Sequence, residues 1–168
     1  MSGTPKRKLG RTPEPALSLQ YGVRSAQLPS RAKLRRWVLA ALRKKASLTL
    51  RLVGAREARQ LNLNYRGRDY ATNVLTFIYS EKNPLEGDIA ICAPVVTREA
   101  RLRGVDREAH YAHLTVHGVL HLQGFDHECA ADAQRMEKLE TRILARLGYA
   151  DPYGETTKKT RPSRKHER

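Results

Sequence analysis

The chain has 168 residues, 40% of them hydrophobic, and a formal net charge of +15. This length fits one domain with a single core, and no apolar run approaches the ~20 residues of a membrane span, which excludes an integral membrane protein. Because the sequence shows no signal peptide and has only two cysteines, Cys92 and Cys129, we expect a cytoplasmic protein without a disulfide framework.

The basic charge is not confined to the two ends of the sequence. Residues 1–11 and 155–168 contribute +4 each, and the segment between them keeps +7. We predict that residues 1–15 are a disordered basic arm, because glycines and prolines fall among its basic residues. We predict that residues 154–168 are a disordered basic tail, because they lack hydrophobic periodicity. The domain at residues 16–153 is itself basic, which fits either a phosphate-bearing polymer as partner or a generally basic soluble protein.

Hydrophobic periodicity predicts four strands and five helices. In chain order the strands cover about residues 17–21, 48–53, 73–79 and 88–92, and the helices about residues 31–42, 55–65, 94–103, 106–123 and 130–147. The third and fourth strands are mostly apolar, as is typical of central strands, and the turn residues between them predict a hairpin. Strands placed early and helices gathered late indicate an α+β domain.

Two helices carry residues that we expect to face the core. In the second helix these are Ala58, Leu61 and Tyr65, with Gly67 ending the helix. The last helix carries an apolar stripe at helical spacing, made of Met136, Leu139, Ile143 and Leu147.

The segment from His117 to His127 carries three histidines. In a helix, His117 and His121 lie on one face, and Gly124 allows the left-handed backbone that ends a helix. The chain can then turn and bring His127 back toward the other two. Three converging imidazoles are the ligand set of a catalytic zinc, which keeps a fourth position open. We therefore predict a metal site on this helix and the turn after it, rather than three unrelated core histidines.

The spacing also resembles the zinc site of metzincin proteases, H-E-x-x-H-x-x-G-x-x-H. In this chain Gly118 stands where those enzymes carry the glutamate that activates water. The motif thus predicts the metal geometry and argues against ordinary proteolysis. A zinc metallopeptidase is the runner-up among enzymes.

Several segments, between about residues 17 and 153, together resemble the YbeY family of bacterial endoribonucleases. The histidine segment is similar to the family signature H-G-x-L-H-L-x-G-Y-D-H, with Phe125 where Tyr is usual. An arginine motif, two central strands and the C-terminal end also match, at residues 63–69, 72–77, 87–92 and 147–153. The departures are Ala71 where Pro is common and Thr76-Phe77-Ile78 where Ser-Phe-Pro is common.

The resemblance implies a small mixed four-stranded sheet packed with about five helices, and a metal-dependent endoribonuclease specific for single-stranded RNA. It also implies a role in ribosomal RNA maturation, especially at the 16S rRNA 3′ end, and in ribosome quality control. The implied partners are small-subunit components and an assembly GTPase. A metal-stabilised assembly factor that binds RNA without cutting it is the non-enzymatic alternative.

The candidate site residues follow from the motif and the resemblance. The metal ligands are His117, His121 and His127, with Zn²⁺ as the cofactor, although other divalent transition metals also accept imidazole. Arg66 is a candidate catalytic residue, mainly through the resemblance, because a guanidinium binds phosphate bidentately. His113 is the second, either as a cleft residue that moves a proton or contacts phosphate, or as a core histidine bonded to backbone. The attacking group is either a metal-bound hydroxide or the RNA 2′-hydroxyl.

Four neighbouring residues have weaker claims. Asp126 could orient an imidazole or cap the turn, and Glu128 is close enough in sequence to act as a base. Cys129 could approach the metal, whereas Cys92 fits a core position. His110 fits a core histidine.

Overall fold

The computed structural model describes residues 15–154, so the predicted arm and tail lie outside it except for their innermost residues. The described strands are β1 Ala16–Tyr21, β2 Ala46–Val53, β3 Val74–Ser80 and β4 Leu85–Cys92. The described helices are α1 Arg31–Ala41, α2 Ala55–Arg66, α3 Ala93–Arg103, α4 Arg107–Leu122 and α5 Ala130–Leu147. Between residues 15 and 154, no helix has the length and apolar character needed to cross a bilayer.

The four strands form one mixed sheet in the order β1-β2-β4-β3. Strands β1, β2 and β4 run parallel, and β3 pairs antiparallel to β4. The predicted α+β class, the mixed sheet and the β3–β4 hairpin are confirmed. The prediction that β3 is a central strand is wrong, because β3 is an edge. At the start of β3 both faces are covered, because Val74 packs against the main core and Leu75 belongs to a smaller cluster, whereas Ile78 and Tyr79 further along the strand are exposed.

The main core covers one face of the sheet. Alternate residues of β2 and β4 point into it, because side chains in a strand alternate between the two faces. Helices α1 and α4 pack on this face, and α5 packs against these two helices. Its largest fully buried aromatic side chains are Trp37 and Tyr111. Burial of apolar surface stabilises a fold by about 25 cal/mol per Å², and this layer contains most of the buried hydrophobic side chains.

A smaller apolar cluster occupies the other face, under α2 and the start of α3. Cys92 is buried in it, as predicted. Ala58 is buried there too, and Leu61 packs against it. The prediction that Tyr65 faces inward is wrong, because its side chain is 69% exposed. By its last turn α2 has reached the edge strand, where the ring lies against Phe77 instead of entering the cluster.

Local signals fix both ends of α4. The Asp106 side chain caps the helix by accepting a hydrogen bond from the Ala109 amide at 3.1 Å. At the other end, Gly124 has φ of +95°, and the Phe125 amide bonds the Leu120 carbonyl at 3.2 Å. The predicted helix and the turn after it are therefore confirmed.

Helix α4 lies very close to the sheet. A Cβ atom added at Gly118 would stand 3.2 Å from Cγ2 of Ile89, and one added at Gly87 would stand 3.0 Å from Cδ2 of Leu122 on α4. Close packing of this kind resists added volume. Glycine at these positions lets the helix that carries His117 and His121 settle on β3 and β4.

Candidate active site

A cleft of about 460 Å³ runs along the edge strand β3, between the end of α2 and the middle of α4. It brings Arg66 together with His117, His121 and His127. The remaining lining residues come from α2 and from β3 with its entry turn: Tyr65, Thr72, Asn73, Val74, Leu75, Thr76 and Phe77. Four of the five predicted site residues therefore share one cavity, although they come from three separate segments of the chain.

The three histidine rings are close neighbours in this cleft. The ring centroids of His117 and His127 are 5.8 Å apart, and those of His121 and His127 are 6.3 Å apart. Tetrahedral zinc with Zn–N bonds of about 2.0–2.1 Å would place such centroids about 5 Å apart. As they stand, the residues from 15 to 154 contain no group of three or more His, Cys, Asp or Glu side chains arranged to hold a metal ion. The three imidazoles are donors that a transition metal accepts, and they lie next to one another. Their rings stand slightly farther apart than coordination to one ion requires.

The protonation of His121 also suits a metal ligand. Burial lowers the pKa of this imidazole, although the nearby Asp126 carboxylate opposes the shift. A lowered pKa favours the neutral ring, which is the form that binds a metal.

Glu140 on α5 supports the histidines from behind the cleft, and the sequence patterns do not reveal it as a site residue. It is 0% exposed, and its Oε1 accepts a hydrogen bond from Nδ1 of His117. Its Oε2 contacts Nε2 of His113 at 3.2 Å and accepts a hydrogen bond from the hydroxyl of Tyr153. A bond at Nδ1 fixes the tautomer of His117 and leaves Nε2 as the nitrogen available to a metal.

Glu140 carries its negative charge despite being buried. Burial disfavours the charged form, but hydrogen bonds from His113, His117 and Tyr153 outweigh it and lower the pKa of Glu140 to about 2. The contact between Glu140 and Tyr153 has the opposite effect on the tyrosine. Burial and the neighbouring carboxylate raise the pKa of Tyr153 well above its usual range. The network therefore consists of an anionic carboxylate and a neutral phenol that donates to it.

His113 lies behind His117 and not in the cleft. Its ring centroid is 6.3 Å from that of His117, and the residue is only 8% exposed. Its Nε2 faces Glu140 and Tyr153, while its Nδ1 is buried without a hydrogen-bond partner in the described chain. The neighbouring His110 is buried as well, but Nε2 contacts the Glu99 carboxylate at 2.7 Å instead of a backbone group.

Arg66 closes the other side of the cleft. It is the last residue of α2, and Gly67 follows it with φ of +66°. Within residues 15–154 it makes no salt bridge, whereas Arg59 on the same helix is paired with Asp69 at 2.6 Å. An exposed guanidinium that no carboxylate neutralises is free to bind an anionic group in the cleft.

The weaker candidates stay outside the cleft. Oδ1 of Asp126 accepts a hydrogen bond from the His127 amide at 2.7 Å, which supports its reading as a turn cap. Its distance to the ring nitrogen Nδ1 of His127 is 3.8 Å, too long for a hydrogen bond. Glu128 is exposed, and Cys129 is exposed at the start of α5.

Gly118 gives a steric argument against a peptidase. Its Cα faces the sheet, where an added Cβ would contact both Ile89 and Val74. A glutamate at this position would therefore have to displace Ile89 or Val74. The close helix–sheet packing thus favours glycine over the base that a peptidase needs.

Comparison with known proteins shows the family. The family model described as Endoribonuclease YbeY matches residues 25–148. An Endoribonuclease YbeY of Aromatoleum aromaticum is 55% identical over 150 residues, which cover 89% of this chain and 96% of that protein. Another, from Thiobacillus denitrificans, is 56% identical over 143 residues, which cover 84% of this chain and 97% of that protein.

The fold has a solved relative. The solution structure of a Thermotoga maritima protein superposes with a TM-score of 0.50 at 22% sequence identity, covering 83% of this chain and 99% of that one. At this identity the match concerns the fold alone. The family model and the curated relatives, by contrast, span most of this sequence and include the histidine segment and the arginine motif, and the chain therefore belongs to the YbeY family of endoribonucleases.

Proposed function

We propose that this chain is a zinc-dependent endoribonuclease that cuts single-stranded RNA, with His117, His121 and His127 as the zinc ligands. The observation that carries the proposal is the cleft, in which these three imidazoles share a cavity with a guanidinium that forms no salt bridge within residues 15–154, in a chain of an endoribonuclease family. Imidazole nitrogens suit zinc, and three protein ligands leave the open position that a catalytic metal needs.

Each side chain has a distinct part in this mechanism. When bound, zinc supplies a positive centre that polarises the scissile phosphodiester. Arg66 binds nonbridging phosphate oxygens and offsets the negative charge that grows on them during cleavage. Glu140 holds His117 in one tautomer and one orientation. The contacts of His113 fit a positioning role, since it touches Glu140 and Tyr153 rather than the cleft.

The biological setting is the second part of the proposal. We infer that the chain acts in the cytoplasm on ribosomal RNA precursors, at the 3′ end of the 16S rRNA and in ribosome quality control. Small-subunit components and an assembly GTPase are the proposed partners. The net charge of +15 supports a polyanionic substrate, because basic surfaces concentrate nucleic acids around a protein.

The test replaces His117 with Ala in protein purified without a metal-affinity tag. Bound zinc is measured by elemental analysis, and cleavage is measured on a single-stranded ribosomal RNA precursor. We expect both to fall sharply, while Lys138→Ala, an exposed change on α5, leaves both unchanged. Unchanged zinc content together with full cleavage in His117→Ala would overturn the assignment. Zinc binding without cleavage in the wild-type protein would favour the non-catalytic assembly factor.

A further inference from the structure

Tyr65 is an exposed aromatic residue in the wall of the cleft. Its side chain is 69% exposed although it occupies a position that helical periodicity assigns to the core. Large apolar groups left in a concave, polar setting commonly mark a binding surface. The residue lies directly before Arg66 on the last turn of α2, so an aromatic ring and a guanidinium reach the same cavity.

The ring of Tyr65 is held in place by the edge strand. It meets Phe77 edge-to-face, with centroids 4.9 Å apart and an interplanar angle of 62°. Phe77 in turn is half-buried and packs against the smaller core cluster. Aromatic pairs of this geometry are attractive beyond the area that they bury. The pair is therefore a preorganised apolar surface on a rigid base.

Arrangements of this kind bind unpaired nucleotides. Proteins that bind single-stranded nucleic acid combine cationic groups along the backbone with aromatic rings on which the bases stack. Here Arg66 fits the phosphate, and the adjacent ring of Tyr65 fits a base. We propose that Tyr65 and Phe77 form a stacking site for one unpaired nucleobase next to the scissile phosphate. This inference rests on the proposed function, and it adds to it a subsite that requires an unpaired base.

The first experiment compares Tyr65→Leu, Tyr65→Trp and wild-type protein, all zinc-loaded, on a short single-stranded RNA. We expect Tyr65→Leu to lower kcat/KM by roughly 10-fold or more, and Tyr65→Trp to retain it. The control is Leu102→Ala, since Leu102 is 79% exposed on α3 and does not line the cleft. Equal losses in the Tyr65→Leu and Leu102→Ala variants would overturn the site.

The second experiment separates stacking from a merely structural effect. An abasic nucleotide replaces each base around the cleavage position in turn. At one position we expect the loss in wild-type protein to match the Tyr65→Leu loss, and the two changes together to cost little more than either alone. Fully additive losses at every position would overturn the stacking site, as would wild-type activity in Tyr65→Leu.

A fluorescence measurement distinguishes failure of this site from failure of the nuclease assignment. RNA that carries 2-aminopurine, a fluorescent base quenched by stacking, is titrated with wild-type protein and with Tyr65→Leu. We expect quenching only with the wild type, whether or not the RNA is cut. If the wild type quenches without cleaving, the stacking site stands and the proposed function fails. If the wild type cleaves RNA but both proteins quench the fluorescence equally, the proposed function stands and the stacking site fails.

Discussion

Glu140 on α5 accepts a hydrogen bond from Nδ1 of His117 on α4, so a residue 23 positions later in the chain orients a candidate metal ligand. The carboxylate is fully buried, and its other oxygen serves His113 and Tyr153. A metal ligand that is anchored in this way keeps its ring orientation in the absence of metal, which lowers the entropic cost of binding.

The first prediction concerns metal affinity. We expect Glu140→Gln to weaken zinc binding by about 10- to 100-fold, because an amide cannot accept hydrogen bonds on both of its arms and places an N–H group against existing donors. Affinity is measured by competition with a chromogenic chelator. Glu137→Gln, an exposed change on the same helix, is the control and should bind zinc as the wild type does. Wild-type affinity in Glu140→Gln would show that the anchor is irrelevant to the metal.

The second prediction concerns the packing of α4 on the sheet. Gly118→Ala should lower the free energy of unfolding by up to about 2 kcal/mol, because crowding of the new methyl group 3.2 Å from Cγ2 of Ile89 outweighs the gain of roughly 1 kcal/mol from replacing a glycine inside a helix. Urea denaturation of the metal-free protein measures this. At Gly54 an added Cβ meets nothing within 4 Å, so Gly54→Ala should cost less, within about 1 kcal/mol. Equal stability losses at both positions would contradict the steric argument.

The third prediction concerns Arg66. Arg66→Ala should lower kcat for RNA cleavage by roughly 100-fold, with unchanged zinc content, because one donor to the developing charge is lost. Arg66→Lys should restore substrate affinity more than kcat, since an ammonium keeps the charge but not the bidentate fork. Arg59→Ala is the control on the same helix, because Arg59 is paired with Asp69. Comparable losses of kcat in Arg59→Ala would mean that only overall charge matters.

The fourth prediction is a pH dependence of stability. Glu108 contacts Nζ of Lys33 at 2.7 Å and accepts a hydrogen bond from the Tyr149 hydroxyl at 2.7 Å, and these contacts lower its pKa. A carboxyl with a lowered pKa stabilises the fold above its unfolded pKa, and this contribution is lost as the pH falls through the folded value. Glu108→Gln should therefore cost less than about 1 kcal/mol at pH 7, because the pair is partly exposed.

The stability gap between the wild type and Glu108→Gln should close as the pH falls below the usual glutamate range near 4.3. Thermal unfolding at several pH values measures it. Glu81→Gln, an exposed change in the loop between β3 and β4, should show a flat difference over the same range. A stability difference between wild type and Glu108→Gln that grows as the pH falls would contradict a lowered pKa of Glu108.

The fifth prediction concerns metal removal. We expect chelation to abolish RNA cleavage while the far-ultraviolet circular dichroism stays unchanged, because the main core is built from apolar contacts away from the cleft. Adding zinc back should restore cleavage. Loss of the helical signal on chelation would indicate a structural metal, since structural zinc sites contribute folding energy directly.

Local sequence signals predict the elements of this chain well. Asp106 and Gly124 mark the ends of α4, and the spacing of His117 and His121 places both on one face of it. These features depend on residues within one or two helical turns of each other, so they can be predicted from the local sequence. The meeting of Arg66 with the histidines was predicted through the family resemblance and not through such local signals.

The features that the sequence does not predict depend on neighbours distant in the chain. The exposure of Tyr65 depends on where α2 passes the sheet edge, and the edge position of β3 depends on strand order, which hydrophobic periodicity does not encode. For Glu140 the sequence does contain one indication of a buried, hydrogen-bonded role. The residue falls on the buried stripe of α5 between Met136 and Ile143, where a carboxylate is costly unless hydrogen bonds compensate.

The contact of Tyr153 with Glu140 has a consequence for biosynthesis. The hydroxyl that completes the support of His117 belongs to a residue near the end of the described chain, whereas the ligands themselves are translated earlier. A nascent polypeptide can thus form the sheet and helix α4 while the orientation of its first ligand is still unsecured. Full support of the candidate metal ligand His117 must therefore wait until Tyr153 has been translated.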